Sequence, residues 1–588
     1  MPTPQDTGES PLGIRLCRGL LHPLLTLAAA ACLIVLVGWV GIITERLHWA
    51  TVAMGLLFGL ERLWVFRHYR LDRNEGRRLK VHAVLAGVVL LFAMGLALES
   101  RSAMDEWPIR GHVGILVSVV VAGLGSMIHH QTRFTARAFH PGLVLLVSFA
   151  FIIIAGGCLL KMPRCTLPGH VCSWLDAFFT STSAVCVTGL TVQNTPLFFS
   201  MTGQVIIVLL IQVGGLGIMT LTFFAAVVLF EGLSLHDHLL LGKMIQENRL
   251  ARIGQTLTFI VVMTFVCEAV GAVILFVSLD GVPDVGMRCF HAVFHSVSAF
   301  CNAGFSTLPD NLASQVVVGN RIWQTVIMTL IVLGGLGSLV NEDVSLWVVA
   351  KWRRRRNPQL LRPRLRLHTR LVLSVTAMLI VTGAGSIMIS EYVLWNGPEN
   401  GGGVITAFFH SVTARTAGFN TVPMTRIGPL TVQILMVLML IGGSPGGTAG
   451  GMRTTVFAVG LAHLWSQIRM SRRGMVAFNR TIPPELGAEA LGLAVLTAIW
   501  LSVSFAVLQI FQTGSGVSET HLLFELISAF ATVGLSIDLT PTLTAGAKTV
   551  LIINMFVGRV GLMTAIATFV KPDGRPPSGK PQETILLS

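Results

Sequence analysis

Charge is scarce in this chain: 12% of its 588 residues are Asp, Glu, Lys or Arg. That excludes an ordinary soluble domain, whose surface needs roughly twice as much. The nine cysteines carry no metal-ligand spacing, which excludes a cysteine-held metal site. Those inside apolar runs read as small packing residues. Cys165 and Cys172 share one loop and are candidates for a disulfide if that loop faces an oxidising compartment. The first apolar run, near 24–43, lacks a small-residue cleavage site and outlasts a signal-peptide core, so it is expected to stay as a helix.

What the chain has instead is hydrophobic length. Apolar residues make up 53% of it, in several runs near or above the ~18 that a membrane span requires. The formal net charge is +14, but the basic residues fall between the runs, which makes them topology determinants rather than a nucleic-acid surface. The basic loops are Arg67 to Lys80, the loop with Arg133 and Arg137, Lys243 to Arg252, Lys351 to Arg370, and Arg469 to Arg480. If these and the tail from Lys571 are cytoplasmic, twelve spans satisfy every loop and both termini lie inside.

A short stretch recurs four times, centred on Gly189, Gly304, Gly418 and Gly534 at intervals of 115, 114 and 116 residues. Leu190, Phe305, Phe419 and Leu535 follow these glycines, and laid without gaps, Phe179, Phe294, Phe408 and Phe524 stand ten residues before them. Such a period fixes the architecture. Each repeat reads as a long apolar run, a short amphipathic piece of ~12 residues ending at the glycine, and a second long run. The middle piece is too short to span, so it is expected to be re-entrant. The fold class is therefore an all-α integral membrane protein, four helix–re-entrant loop–helix repeats around a central pore, preceded by about four extra spans near 24–44, 48–66, 81–98 and 112–127.

A cation crossing a bilayer must exchange water for fixed oxygens, and rings of backbone carbonyls supply these without a net charge. Glycine admits the positive φ that such a backbone needs. One glycine per repeat gives one four-fold ring from one chain. The first two second runs carry Gly214-Gly-Leu-Gly217 and Gly334-Gly-Leu-Gly337, for which close helix packing is the simplest reading, and the fourth carries Gly558-Arg-Val-Gly561. The third carries Gly442-Gly443-Ser444-Pro445-Gly446-Gly447-Thr448-Ala449-Gly450-Gly451, which cannot stay helical. Arg559, at the matching depth of the fourth repeat, is expected to face the bundle interior against freed loop carbonyls.

These stretches resemble the superfamily of the potassium transporters KtrB, TrkH and the plant HKT proteins, and KtrB most. The resemblance rests on Thr182 to Leu190, Ser296 to Phe305, Ser411 to Phe419 and Ser528 to Ser536, with the Gly442–Gly451 loop and Arg559 in order, and covers about 140–570. It implies a potassium site made by backbone carbonyls near Val187, Thr188 and Gly189; Asn302, Ala303 and Gly304; Thr416, Ala417 and Gly418; and Thr532, Val533 and Gly534. It implies an intramembrane gate formed by the loop and Arg559, potassium uptake across the cytoplasmic membrane with Na⁺ or H⁺ as the possible coupling ion, a homodimer, and a KtrA- or TrkA-like cytosolic nucleotide-binding partner. The chain has no Gly-Lys phosphate-binding motif, so the nucleotide would belong to that partner. No cofactor, enzymatic activity or nucleic-acid partner is implied.

The expected organisation is an extra bundle at 1–137, repeats at 138–248, 249–365, 366–480 and 481–571, and a cytoplasmic tail at 572–588. Asn194 departs from the acidic residue many relatives carry, which would weaken cation attraction at the outer mouth. Two other classes stay open on residues alone. A non-transporting membrane sensor or scaffold is one. The other is an intramembrane serine hydrolase, since Gly442-Gly-Ser444-Pro-Gly446 fits G-x-S-x-G, although Pro445 lacks the backbone N–H an oxyanion hole needs. His236-Asp-His238 is a weak metal candidate better read as a solvated loop.

Overall fold

A computed structural model describes residues 51–58, 60, 141–217, 253–279, 281–359, 363–394, 403–469 and 475–563. Most of the N-terminal bundle, the His236-Asp-His238 segment and the C-terminal tail lie outside the described residues.

The four repeats have the same parts. The first helices are α1 (Pro141–Leu160), α4 (Ile253–Ser278), α8 (Leu367–Ile389) and α12 (Pro484–Phe511). The short helices are α2 (Trp174–Val185), α5 (Val285–Phe300), α9 (Val404–Thr413) and α13 (Glu519–Phe530). The second helices are α3 (Met201–Leu216), α6 (Arg321–Leu336), α10 (Pro429–Leu440) and α14 (Ala545–Val560), with α7 (Ser338–Arg356) and α11 (Thr454–Ile468) continuing α6 and α10. Start signals are local. The Ser173 side chain accepts from Asp176 N to cap α2, Asp284 accepts from Gly286 and Met287 to cap α5, and Asn320 accepts from Ile322 and Trp323 to cap α6.

Within each repeat the three helices pack pairwise. Between repeats, each second helix packs on the short helix of the next: α3 on α5, α6 on α9, α10 on α13, and α14 on α2. The last contact closes the circle. Like the first helices of a membrane bundle, α4, α8 and α12 are long and apolar enough to span, and α6 with α7 forms a fourth candidate span bent by 103°.

Two glycines at the ends of α3, α6 and α14 have different tasks. A Cβ on Gly214, Gly334 or Gly558 would overlap the carbonyl oxygen of Val185, Phe300 or Phe530 at the end of the repeat's own short helix. This is the close packing the Gly-Gly pairs suggest. Packing is not the whole account, however. The helices end at the third glycine, where Gly217, Gly337 and Gly561 have φ of 78°, 83° and 93°. At this level α3 and α14 thus end and α6 bends into α7, and the third repeat has a full loop there.

The ungapped alignment fails at one residue. Phe179, Phe294 and Phe524 are fully buried, but Phe408 is 38% exposed and Phe409 fills the core position instead. The cause is a short helix with one residue fewer. Ala417 N bonds Thr413 O, four back, where Thr188 N, Ala303 N and Val533 N bond Ser183, Ser298 and Ser528, five back.

Outside the helices, the basic segment before α12 contains a hairpin, β1 (Met475–Ala477) pairing antiparallel with β2 (Arg480–Ile482). Its turn residues Phe478 and Asn479 have φ of 50° and 63°, as a two-residue hairpin turn requires. Cys165 and Cys172 are both free and buried. Their sulfurs donate to different carbonyls, Leu159 O at 3.2 Å and Ser173 O at 3.5 Å. Burial pushes both thiols up to about 11, so they are neutral hydrogen-bond donors here rather than a disulfide.

Replacing Gly558 by Leu drives a side chain into the backbone of Phe530, which cannot rotate away. A cost of about 1–3 kcal/mol or more is expected, read as a lower melting temperature of the detergent-purified protein. Gly492→Leu, at a glycine with nothing within 4 Å of its Cβ position, should be tolerated.

Candidate functional site

The four repeat glycines meet at one place. They have φ of 94° at Gly189, 69° at Gly304, 78° at Gly418 and 89° at Gly534. A Cβ on Gly189 would overlap Ala303 O, one on Gly304 would overlap Ala417 O, one on Gly418 Val533 O, and one on Gly534 Thr188 O. The relation runs round a closed circle, each glycine against the carbonyl that precedes the next repeat's glycine. Two residues upstream, Val187, Asn302, Thr416 and Thr532 have φ of 56°, 61°, 75° and 49°. Left-handed backbone at a non-glycine residue costs of order 1–3 kcal/mol each, so the surroundings must hold these segments in place.

They do so from behind. Ser183 Oγ accepts from Gly189 N at 3.0 Å and Ser528 Oγ accepts from Gly534 N at 3.1 Å. Ser298 Oγ donates to Phe305 O at 2.8 Å and Thr413 Oγ1 donates to Phe419 O at 2.7 Å. Asn302, with its amide oriented to satisfy both atoms, donates to Ala299 O at 2.9 Å and Ile331 O at 3.2 Å. One turn earlier, a second tier ties the descending strand. Glu525 accepts from Ser536 Oγ, from Ile537 N at 3.1 Å and from Thr540 Oγ1 at 2.7 Å. His295 sits at the same position of the second repeat. Its Nδ1 faces the carbonyl of His291 at 2.7 Å, which makes it the donor, and its Nε2 therefore accepts from Ser306 Oγ at 2.9 Å. His410 in the third repeat faces Thr421 Oγ1. Sequence reading missed this tier; in the gapless register the position holds Thr180, His295, Phe409 and Glu525, and only the one-residue shift of the third short helix brings His410 into line.

Above the ring lies a cavity of about 360 Å³ lined by all four glycines. Asp310 and Asp538 line it too, so the mouth carries two carboxylates although Asn194 carries none. Asn194 Nδ2 instead donates to Pro309 O at 2.7 Å, bridging the first two repeats. At the ring itself, the hydroxyls of Thr188, Thr416 and Thr532 are buried without a partner among the described residues. Oxygens left unpaired around a closed carbonyl ring suit a dehydrated cation.

Beneath the ring sits the glycine loop of the third repeat. A Cβ on Gly450 would strike Thr532 and one on Gly451 would strike Ala531, so the loop abuts the fourth short helix directly. On the opposite side Ser444 N bonds Gly335 O at 3.0 Å and Ser338 N bonds Gly446 O at 3.2 Å, at the interruption between α6 and α7. Three guanidiniums hold its carbonyls. Arg559 donates to Thr448 O and to Gly214 O, Arg415 to Gly442 O at 3.3 Å, and Arg453 to Ser444 O at 3.3 Å. Arg559 thus lies inside the bundle, against the kind of partner its depth suggested; Arg415 and Arg453 were not singled out from sequence. Ser444 is 1% exposed and its hydroxyl donates to Pro445 O, an arrangement that presents no nucleophile.

Residues 112–577 match the profile of the cation transport protein family TrkH. The chain belongs to that family. It is a multi-pass membrane transport protein and not an enzyme. It is 33% identical to the potassium/sodium uptake protein NtpJ of Enterococcus hirae over 77% of this chain and 98% of that one. To the Ktr system potassium uptake protein B of Vibrio alginolyticus it is 34% identical, over 77% of this chain and 96% of that one. Among solved structures, the potassium transporter TrkH from Vibrio parahaemolyticus shares its fold with a TM-score of 0.56 at 17% identity, over 89% of this chain and 98% of the other.

Glu525→Ala leaves the Ile537 N–H unpaired and leaves the Ser536 and Thr540 hydroxyls only each other, 3.3 Å apart. About 1–3 kcal/mol is expected for each buried group left without a partner, seen as a lower melting temperature, with Glu525→Gln intermediate because one oxygen remains.

Proposed function

We propose that this protein takes up potassium across the cytoplasmic membrane, with the four-glycine ring as its selectivity filter and the Gly442–Gly451 loop as its gate. The observation that carries the reading is the closed circle of glycine and carbonyl, one of each per repeat. A single chain then presents backbone oxygens on all sides of one axis, the arrangement that replaces a cation's hydration shell without placing a net charge there. Short helices directed at that axis by their C-terminal ends add a favourable dipole. The cation is the substrate, held by backbone carbonyls at Val187-Thr188-Gly189, Asn302-Ala303-Gly304, Thr416-Ala417-Gly418 and Thr532-Val533-Gly534. Relatives named for potassium or potassium/sodium uptake support the choice of ion.

The acidic mouth with Asp310 and Asp538 faces outward in this reading. The run of arginines at the end of α7 faces the cytoplasm, where positive charge is retained. The loop under the ring is the closed gate. Its three arginine contacts come from repeat 3 itself and from repeat 4, and Arg559 also bonds repeat 1. A guanidinium there repels a passing cation as well as anchoring the loop. Regulation falls to a cytosolic nucleotide-binding partner, and two copies of the chain associate with one ring each; names containing "Ktr system" favour a multi-component assembly.

Purified protein in liposomes with imposed K⁺ and Na⁺ gradients tests both parts. Gly189→Ser places a side chain against Ala303 O and disturbs the larger ion's shell more, so the K⁺/Na⁺ flux ratio should fall; an unchanged ratio contradicts the filter. Removing Arg559 deletes a charged hydrogen bond of about 1.5–3 kcal/mol, enough for a tenfold or larger shift toward open. Arg559→Ala should raise flux, and deleting residues 445–449 should raise it further, because Arg415 and Arg453 still hold the loop in the former. Equal flux in all three proteins at matched membrane levels contradicts the gate and leaves the filter intact.

A further inference from the structure

A buried carboxylate stands where the first and third repeats place an isoleucine. A serine of the short helix marks the register. Ser181 Oγ donates to Ile153 O at 2.7 Å, Ser296 Oγ to Glu268 O at 2.6 Å and Ser411 Oγ to Ile380 O at 2.9 Å. Glu268, 5% exposed on α4, thus takes the place of Ile153 on α1 and Ile380 on α8. Its neighbour across the repeat boundary is equally out of pattern. Gln212 precedes Gly214 by two residues on α3, and the corresponding residues before Gly334, Gly442 and Gly558 are Val332, Leu440 and Phe556. At the next boundary Val332 and Ile380 pack in one apolar cluster, and Ile153 and Phe556 share another. The fold fills the corresponding positions elsewhere with apolar side chains, so packing does not call for a carboxylate.

Gln212 Nε2 donates to Glu268 Oε2 at 3.1 Å. Cys301 Sγ lies 3.7 Å from Glu268 Oε1 and 4.0 Å from Gln212 Oε1. Cys301 ends α5 and immediately precedes Asn302 of the ring. Among the described residues no lysine, arginine or histidine forms an ion pair with Glu268. The groups facing it are few: Cys301 from α5 and Cys267 on α4, with the charge-free α3 opposite. Further along α5, Arg288, Cys289, His291 and His295 lie in earlier turns; α6 carries only Arg321, at its far end. On α7, Glu342 accepts from Thr256 near the start of α4. Arg559 of α14 reaches Gly214 O, two residues from Gln212.

We propose that Glu268 is a proton-binding site that sets the charge beneath the second repeat's part of the ring. A lone carboxylate at this depth is stable as the neutral acid. When the proton leaves, a negative charge appears next to the residue that leads into Asn302, attracting cations to the inner end of the ring. An alkali cation fits the pocket worse, since three side-chain oxygens, an amide N–H and a thiol fall short of its oxygen shell. The proposal rests on the ring's role as the potassium filter, and its test separates the two.

The full-length protein is reconstituted in liposomes, and K⁺ flux at subsaturating K⁺ is followed against pH. Wild type should gain several-fold as pH rises through one single-proton step. Glu268→Gln, fixed in the neutral form, and Glu268→Ile, the residue of the sister repeats, should stay low and pH-independent. Glu268→Asp should keep the step at a shifted midpoint. Independently of flux, the infrared band of a protonated carboxyl should titrate in wild type and lose one component in Glu268→Gln. A wild-type pH profile with an unchanged infrared spectrum in Glu268→Gln overturns the proposal. With flux also followed against Na⁺, a Na⁺ dependence that Glu268→Gln abolishes while leaving the pH profile intact overturns it in favour of a metal cation. If wild type passes no K⁺, the filter reading fails, while the infrared titration still decides the proton site.

Discussion

The structure depends on one steric fact: four backbone segments must approach so closely that only hydrogen fits on their α-carbons. Each ring glycine touches the carbonyl preceding the next repeat's glycine, and the fourth touches the first. Everything around the ring serves that approach. The short helices end just before it, and their serine and threonine hydroxyls bond the backbone on its far side. The second helices come within backbone contact of the short helices through Gly214, Gly334 and Gly558, which lets four repeats crowd round one axis. Left-handed residues at Val187, Asn302, Thr416 and Thr532 store strain that an isolated repeat would release.

The repeats share a frame but have diverged in what they attach to it. The position three before the ring glycine is Cys186, Cys301, Arg415 and Ala531. Only the arginine reaches a loop carbonyl, and only the alanine is small enough to let Gly451 pack against it. The tier behind the ring changes from histidine to glutamate because the strands it ties present different hydroxyls and N–H groups. One chain with four unequal repeats can place a loop, an arginine and a buried acid once each. Four identical subunits would place each four times.

In the proposed gate, weak interactions hold the loop in place. Glycine makes it costly to order, and the ordered form is held by guanidinium–carbonyl bonds and by backbone bonds to the interruption between α6 and α7. None of these is a packed apolar contact. An element held mainly by such bonds can, in the proposed gate, be released by a modest free energy, whereas the ring beside it, wedged by backbone against backbone, cannot.

The four-fold period, the ring glycines, the short middle helices and the broken third repeat were legible in the sequence, because each follows from local rules. Apolar length sets spans, glycine permits positive φ, and ten residues with six glycines and a proline exclude helix. The same rules gave Arg559 an interior partner. They did not reveal that the third short helix is one residue short, since Phe408 and Phe409 are chemically identical and only packing chooses between them. They did not show that the helices end at Gly217, Gly337 and Gly561, because a lone glycine in an apolar run is compatible with helix until tertiary contacts decide otherwise. Nor did they join Arg415 to Gly442, Glu525 to Thr540 or Glu268 to Gln212. A buried polar side chain states a need for a partner, and which partner satisfies it is decided by the distances that the closed ring of repeats imposes.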